Sequence, residues 1–72
     1  MSQVTITIIN PFSGAVVERD ASAYTQRDCE LFVSRLSDDE AYQCEGGDTP
    51  AEWVANMVAL LGAKRAGAVI LS

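Results

Sequence analysis

Carboxylates are the reactive groups that this sequence concentrates most strongly. Six of its ten acidic residues lie between Asp38 and Trp53, and that stretch of sixteen residues contains no Lys, Arg or His. Such a cluster can bind a hard cation or attract a basic surface of another protein. Because the acids do not follow the alternating spacing of an EF-hand loop, we expect no dedicated metal site and no cofactor.

The absence of histidine argues against most enzyme classes. Histidine is the usual general base near neutral pH and the commonest metal ligand, and this chain has none. The remaining candidate nucleophiles are Cys29 and Cys44, which we expect to be reduced thiols. Cys29 falls on the apolar face of a predicted helix, and the carboxylates around Cys44 should raise its pKa. We therefore predict a protein that is not an enzyme and has no catalytic residue.

A glycine-containing segment, Gly46 to Thr49, precedes a predicted helix. Backbone N–H groups at such a position can bind a phosphate. The segment lacks the lysine and the spacing of a P-loop, and it is itself acidic. A turn followed by a helix cap accounts for each of its residues, so we interpret it as structural.

The charge of the chain is strongly polarised. Residues 28–52 contain eight acids and a single base, Arg35, whereas the remaining residues contain two acids and four bases. This field repels nucleic acids and anionic membranes and attracts a basic protein or nucleoprotein complex. The candidate partner-binding residues are Asp38, Asp39, Glu40, Tyr42, Glu45 and Asp48.

A second interpretation of the acidic residues needs no partner. Negative charge keeps small domains soluble, and acids near helix starts stabilise the helices. Asp28, Glu40 and Glu52 fit such capping positions. Both interpretations stay open on the sequence alone.

The elements that would position these residues begin with a hairpin. Alternating β-branched residues predict a strand over Val4 to Ile9, and the following turn-forming residues, Asn10 to Gly14, lead into a second strand over Ala15 to Arg19.

Two helices are predicted after the hairpin. Thr25 and Asp28 resemble a capping box and predict a helix over Gln26 to Ser37.

The second helix has the stronger start signal. Thr49, Pro50 and Glu52 predict a helix that begins at Pro50, and either Gly62 or Gly67 should end it. The segment Ala41 to Glu45 is ambiguous between a short strand and a loop.

The apolar run from Ala66 to Ser72 predicts a buried C-terminal strand that pairs with Val4 to Ile9. The expected fold class is therefore α+β: a two-layer sandwich in which a small antiparallel or mixed sheet is covered by two helices, in the order β-β-α-(β)-α-β. Residues 1–72 should form a single compact domain.

The expected location is the cytoplasm. The N-terminal segment has no basic residue ahead of its apolar run, as a secretory signal would, and no apolar run approaches the ~20 residues that cross a bilayer. If the chain is phage-encoded, the compartment would be the host cytoplasm.

In small size, acidity and lack of histidine, the chain resembles the small counter-defence proteins of phages and mobile elements, anti-CRISPR proteins among them. The resemblance is one of general character and carries no motif. It implies a non-enzymatic inhibitor whose acids occupy a Lys/Arg groove that would otherwise hold phosphates. The alternative is a self-associating structural or scaffold module, such as a homodimer formed through an open sheet edge or a helix face.

Overall fold

The computed structural model describes residues 4–71 and shows an α+β fold, which confirms the expected class. The described residues form one two-stranded antiparallel sheet and four α-helices. The elements are β1 (Thr5–Ile9), β2 (Val16–Asp20), a 3-10 turn (Ala21–Ala23), α1 (Gln26–Ser34), α2 (Asp38–Gln43), α3 (Pro50–Leu61) and α4 (Ala63–Ile70).

The N-terminal hairpin forms as its alternation predicts. β1 pairs with β2 in a register that places Thr7 opposite Glu18. Ile6 and Ile8 point into the core, whereas Thr5 and Thr7 are exposed. The turn is closed locally, because the Asn10 side chain accepts a hydrogen bond from the Phe12 N–H at 2.8 Å.

α1 begins where its cap predicts and ends earlier than expected. The Thr25 hydroxyl accepts from the Asp28 N–H, and the Asp28 carboxylate accepts from the Thr25 N–H at 2.8 Å, which completes a capping box. Phe32 on the buried face makes an edge-to-face contact with Tyr24, with ring centroids 5.5 Å apart. The helix ends at Ser34 rather than Ser37.

α3 starts at Pro50, as predicted, with the Thr49 hydroxyl accepting from the Glu52 N–H. Of the two candidate end points, Gly62 ends the helix. Its φ of 88° and ψ of 161° lie in a region that is essentially restricted to glycine. The chain turns there and enters α4 at the next residue.

The predicted C-terminal strand is wrong: the segment from Ala66 to Ile70 belongs to α4, and Ser72 lies outside the described residues. α4 packs against β1, the element that the strand was expected to join. A β-carbon on Gly67 would overlap the carbonyl oxygen of Ile9, so the bare glycine lets the helix backbone approach the strand closely. Ala66, the preceding residue of α4, is also buried.

The ambiguous segment Ala41 to Glu45 also proves to be largely helical. α2 is a short helix in which Ser37 and Glu40 form a capping box: the Ser37 hydroxyl accepts from the Glu40 N–H, and the Glu40 carboxylate accepts from the Ser37 N–H.

The order of strands and α-helices is thus β-β-α-α-α-α instead of the expected sandwich with two helices. Buried apolar residues from most of these elements form one core: Ile6, Ile8, Ala21, Cys29, Phe32, Cys44, Val54, Met57, Ala66 and Val69.

Candidate functional site

The first turn of α2 presents two of the predicted partner-binding acids to solvent. The capping box at Ser37 starts the helix and places Asp38 and Asp39 in its first turn, where the helix dipole favours negative charge. Both side chains are exposed. Tyr42, one turn later, is 76% exposed, so the aromatic candidate also lies on the surface.

Glu40 has a different role from its neighbours. Its carboxylate oxygens accept hydrogen bonds from the Arg65 guanidinium at 2.8 and 2.9 Å, which ties α2 to α4. The hydrogen bonds from Arg65 and from the Ser37 N–H lower the pKa of Glu40 to about 2. Of the six candidate residues, Glu40 is therefore engaged within the molecule.

Arg35, the single base of the acid-rich segment, is engaged as well. Its Nη1 donates to the carbonyl oxygen of Val69 at 2.7 Å, near the C-terminus of α4. Arg65 also reaches the Arg35 carbonyl at 3.4 Å. Both arginines thus hold α4 in place, and neither is used to neutralise Asp38 or Asp39.

The loop after α2 carries the other two predicted acids. Cys44 is fully buried and anchors the start of the loop, and Gly46 and Gly47 then adopt positive φ values of 134° and 96°. Glu45 and Asp48 are exposed on either side of this glycine pair. The Asp48 backbone N–H donates to Glu52 at 2.9 Å, which fixes the loop to the start of α3.

We call Asp38, Asp39, Glu45 and Asp48 the acidic surface. Within residues 4–71, their carboxylates accept no hydrogen bond and form no ion pair. The acidic surface therefore keeps its full charge available to solvent or to another molecule.

A cleft of about 280 Å³ borders the acidic surface, between α1 and the loop. Glu45 and Asp48 lie on the loop side, Glu30 and Val33 on the α1 side, and Trp53 at the start of α3. Glu30 and Val33 are not among the site residues predicted from the sequence. Their spacing of three residues on one helix was the available signal, but only the packing of α1 against α3 brings them to the loop.

The two thiols are free and buried. Burial, followed by the nearby Asp28 and Glu30, raises the pKa of Cys29, and burial followed by Glu40 raises that of Cys44. The Cys29 thiol donates weakly to the Pro50 carbonyl at 3.7 Å. Both side chains are protonated core residues at neutral pH, which disfavours a thiolate nucleophile.

A second exposed surface lies on the hairpin. In the described part of the chain β2 has β1 as its one strand neighbour, so its outer edge is unpaired. Phe12, at the hairpin tip, is 81% exposed, and Val16, at the start of β2, is 68% exposed. An edge with exposed apolar side chains can add a strand from another molecule.

The described residues contain neither a metal-binding cluster nor a membrane-spanning helix. Between residues 4 and 71, no group of three or more His, Cys, Asp or Glu side chains is arranged to hold a metal ion. The same residues include no helix with the length and apolar character needed to cross a bilayer.

Comparison with known proteins adds no relative. No protein-family model matches the chain, and neither a curated protein nor a solved structure matches it.

Proposed function

We propose that the protein is a non-enzymatic binding module whose acidic surface docks on a basic, nucleic-acid-handling protein or nucleoprotein complex, as an inhibitor of the anti-CRISPR type does. The observation that carries the proposal is the uncompensated charge of Asp38, Asp39, Glu45 and Asp48. The arginines that could neutralise this segment, Arg35 and Arg65, are used to hold α4.

An exposed set of carboxylates without internal partners accelerates association with a basic surface and repels nucleic acid. It can also occupy a Lys/Arg groove in place of phosphates. Tyr42 beside these charges supplies an exposed aromatic ring, a residue type that is enriched at protein interfaces. The proposed partner is thus a basic protein, and no direct contact with nucleic acid or membrane is proposed.

The test is affinity capture from a bacterial lysate with the wild-type chain and with the variant D38N/D39N/E45Q/D48N. Wild type should retain a nucleic-acid-binding complex at 50 mM NaCl and release it at 300 mM, because screening weakens charge-driven association. The fourfold variant should retain at least tenfold less. Duplex DNA added to the lysate should compete with the wild-type chain for the same complex.

A single-charge control for location is Glu18→Gln, which removes one exposed carboxylate from β2 instead of α2 or the loop. It should retain the complex as wild type does. Equal retention by wild type and the fourfold variant would remove the docking proposal.

Self-association is the second candidate, favoured by the outer edge of β2, which has no strand beside it within residues 4–71, and by the exposed Phe12 and Val16. It predicts a dimer in sedimentation experiments whose population rises with concentration and changes little with salt. Val16→Lys should abolish that dimer, because a lysine on an edge strand blocks strand addition. A wild-type chain that stays monomeric at 500 µM would exclude this candidate.

A further inference from the structure

The cleft between α1 and the loop has the size of a site for one side chain. Its volume of about 280 Å³ lies just below the ~300–1,000 Å³ that is typical of pockets for whole small molecules. The glycine pair shapes its loop wall: a β-carbon on Gly47 would lie 2.9 Å from the Trp53 backbone nitrogen, so no larger residue fits there without a shift.

All the charged residues that line the cleft are acidic. Glu30 projects from α1, and Glu45 and Asp48 project from the loop, while no lysine or arginine is among the described lining residues. Within residues 4–71 the three carboxylates accept no hydrogen bond and form no ion pair. A cation that entered the cleft would therefore compete with no partner from the described part of the chain.

The remaining lining favours a flat, weakly hydrated cation over a compact one. Trp53 and Val33 are the large apolar residues of the lining, and Cys29, also in the lining, is buried. A guanidinium stacks on an aromatic ring and donates to carboxylates in a planar fork, whereas an ammonium is strongly hydrated and spherical. The same lining disfavours a phosphate, which the acids would repel.

We propose that this cleft receives an arginine side chain of the partner protein, with the guanidinium beside Trp53 and within reach of Glu30 and Glu45. The inference rests on the proposed function, because it assigns a recognition site within the surface that docks on a basic protein. An arginine bound in the cleft adds a specific contact to an association that otherwise depends only on long-range electrostatic attraction.

Trp53 makes the proposal directly measurable, since it is the one tryptophan in the sequence. N-acetyl-arginine amide should change its fluorescence with a dissociation constant on the order of 1 mM, as expected for a ligand of so few atoms. N-acetyl-citrulline amide has nearly the same shape without the charge and should bind at least tenfold more weakly. N-acetyl-arginine keeps the guanidinium but carries a free carboxylate and no α-ammonium, so the acidic cleft should bind it more weakly than the amide.

These ligand comparisons use the wild-type chain and do not depend on any variant folding. Equal binding of the arginine and citrulline amides, or no response of Trp53 to either, would overturn the proposal. Tighter binding of N-acetyl-arginine than of the amide would point to a metabolite site and would also overturn it.

Matched double variants locate the site. E30Q/E45Q removes two carboxylates from the cleft and should weaken binding of N-acetyl-arginine amide at least fivefold. D38N/D39N removes the same charge from α2 and should change the binding by less than twofold. In amide NMR spectra the ligand should shift the resonances of Gly46 and Gly47, and equal effects of the two double variants would contradict a defined site.

The results separate this proposal from the proposed function. If D38N/D39N abolishes capture of the basic complex while no arginine derivative perturbs Trp53, the acidic surface docks without the cleft. If arginine binds the cleft but the complex is captured independently of the acidic surface, the docking proposal fails, and the cleft binds a guanidinium that does not belong to that complex.

Discussion

At the scale of single residues, Glu40 shows that the charge count of a segment does not equal the charge that it presents. The sequence groups it with Asp38 and Asp39, but its carboxylate is shared between the Ser37 N–H and the Arg65 guanidinium. Glu40 is therefore a structural link between α2 and α4. The acidic surface consists of the four other acids of this segment.

Replacement of Glu40 by Gln should remove part of the acid sensitivity of the fold. The pKa of Glu40 is lowered from 4.5 to about 2 in the folded chain, so its stabilising contribution is fully present above pH 4.5 and is lost as the pH falls towards 2. Urea denaturation from pH 6 to pH 2 should show a shallower loss of stability for Glu40→Gln than for wild type.

Asp39→Asn is the control, because it removes a carboxylate from the same turn and leaves the Arg65 contact intact. It should keep the wild-type slope across this pH range. A Glu40→Gln variant with the wild-type slope would show that the contact with Arg65 does not stabilise the fold.

Gly67→Ala tests the contact between α4 and β1, where two effects have opposite signs. Alanine is better than glycine in a helix interior by about 1 kcal/mol, so local propensity alone predicts stabilisation. A methyl group on Gly67 would overlap the Ile9 carbonyl, and such overpacking costs about 1–3 kcal/mol or more. We expect a net loss of stability in urea denaturation. A stabilised variant would mean that α4 does not approach Ile9 so closely.

At the scale of elements, α3 and α4 are two helices separated by one residue. Nearly continuous apolar sequence from Trp53 to Leu61, followed by an alanine-rich segment, is compatible with a single longer helix. The backbone of Gly62 prevents this and turns α4 back onto β1.

Gly62→Ala should therefore lower the free energy of unfolding by about 1–3 kcal/mol, because alanine is strained at a φ of 88° and a ψ of 161°. Space does not limit the change, since a β-carbon at this position has no neighbour within 4 Å in the described structure. Ala59→Ser, on the exposed side of α3, is the control and should change stability by about 0.5 kcal/mol or less. Wild-type stability of Gly62→Ala would argue for a continuous helix.

At the scale of the whole molecule, the net charge of −5 is distributed unevenly. The acidic surface lies in one continuous part of the chain, residues 38–48, while two arginines from elsewhere in the fold are used internally. Repulsion among the exposed acids opposes folding slightly, and this cost is expected if the charges serve a partner.

The variant D38N/D39N/E45Q/D48N should fold, with a stability within about 1 kcal/mol of wild type at low salt. Removing repulsion among the acids is favourable, whereas the loss of Asp38 and Asp39 from the first turn of α2 removes a favourable interaction with the helix dipole, and each effect is only about 0.5 kcal/mol per charge. Thermal denaturation of wild type should shift upwards between 10 and 150 mM NaCl, and the variant should shift less, because the Debye length falls to ~8 Å over this range. A strongly destabilised variant would assign these acids a structural role.

The parts of the fold that depend on local interactions could be read from the sequence. Alternation of Ile6 and Ile8 with threonines defines the strand, and the caps at Thr25 and Thr49 define two helix starts, because the interacting groups lie within a few residues of each other. The acid-rich stretch and the buried position of Cys29 were likewise accessible from sequence patterns.

Other features depended on contacts between distant segments. A short apolar run such as Ala66 to Leu71 suits either a strand or a helix, and the close approach of Gly67 to Ile9 belongs to the tertiary structure. The pairing of Glu40 with Arg65 joins residues 25 positions apart, and the cleft requires α1 and the loop to meet. The sequence by itself thus determined the hairpin, two helix starts and the excess of acid. Only the tertiary structure decided the helical C-terminus and which acids stay free, because both depend on which distant groups the packing brings within contact distance.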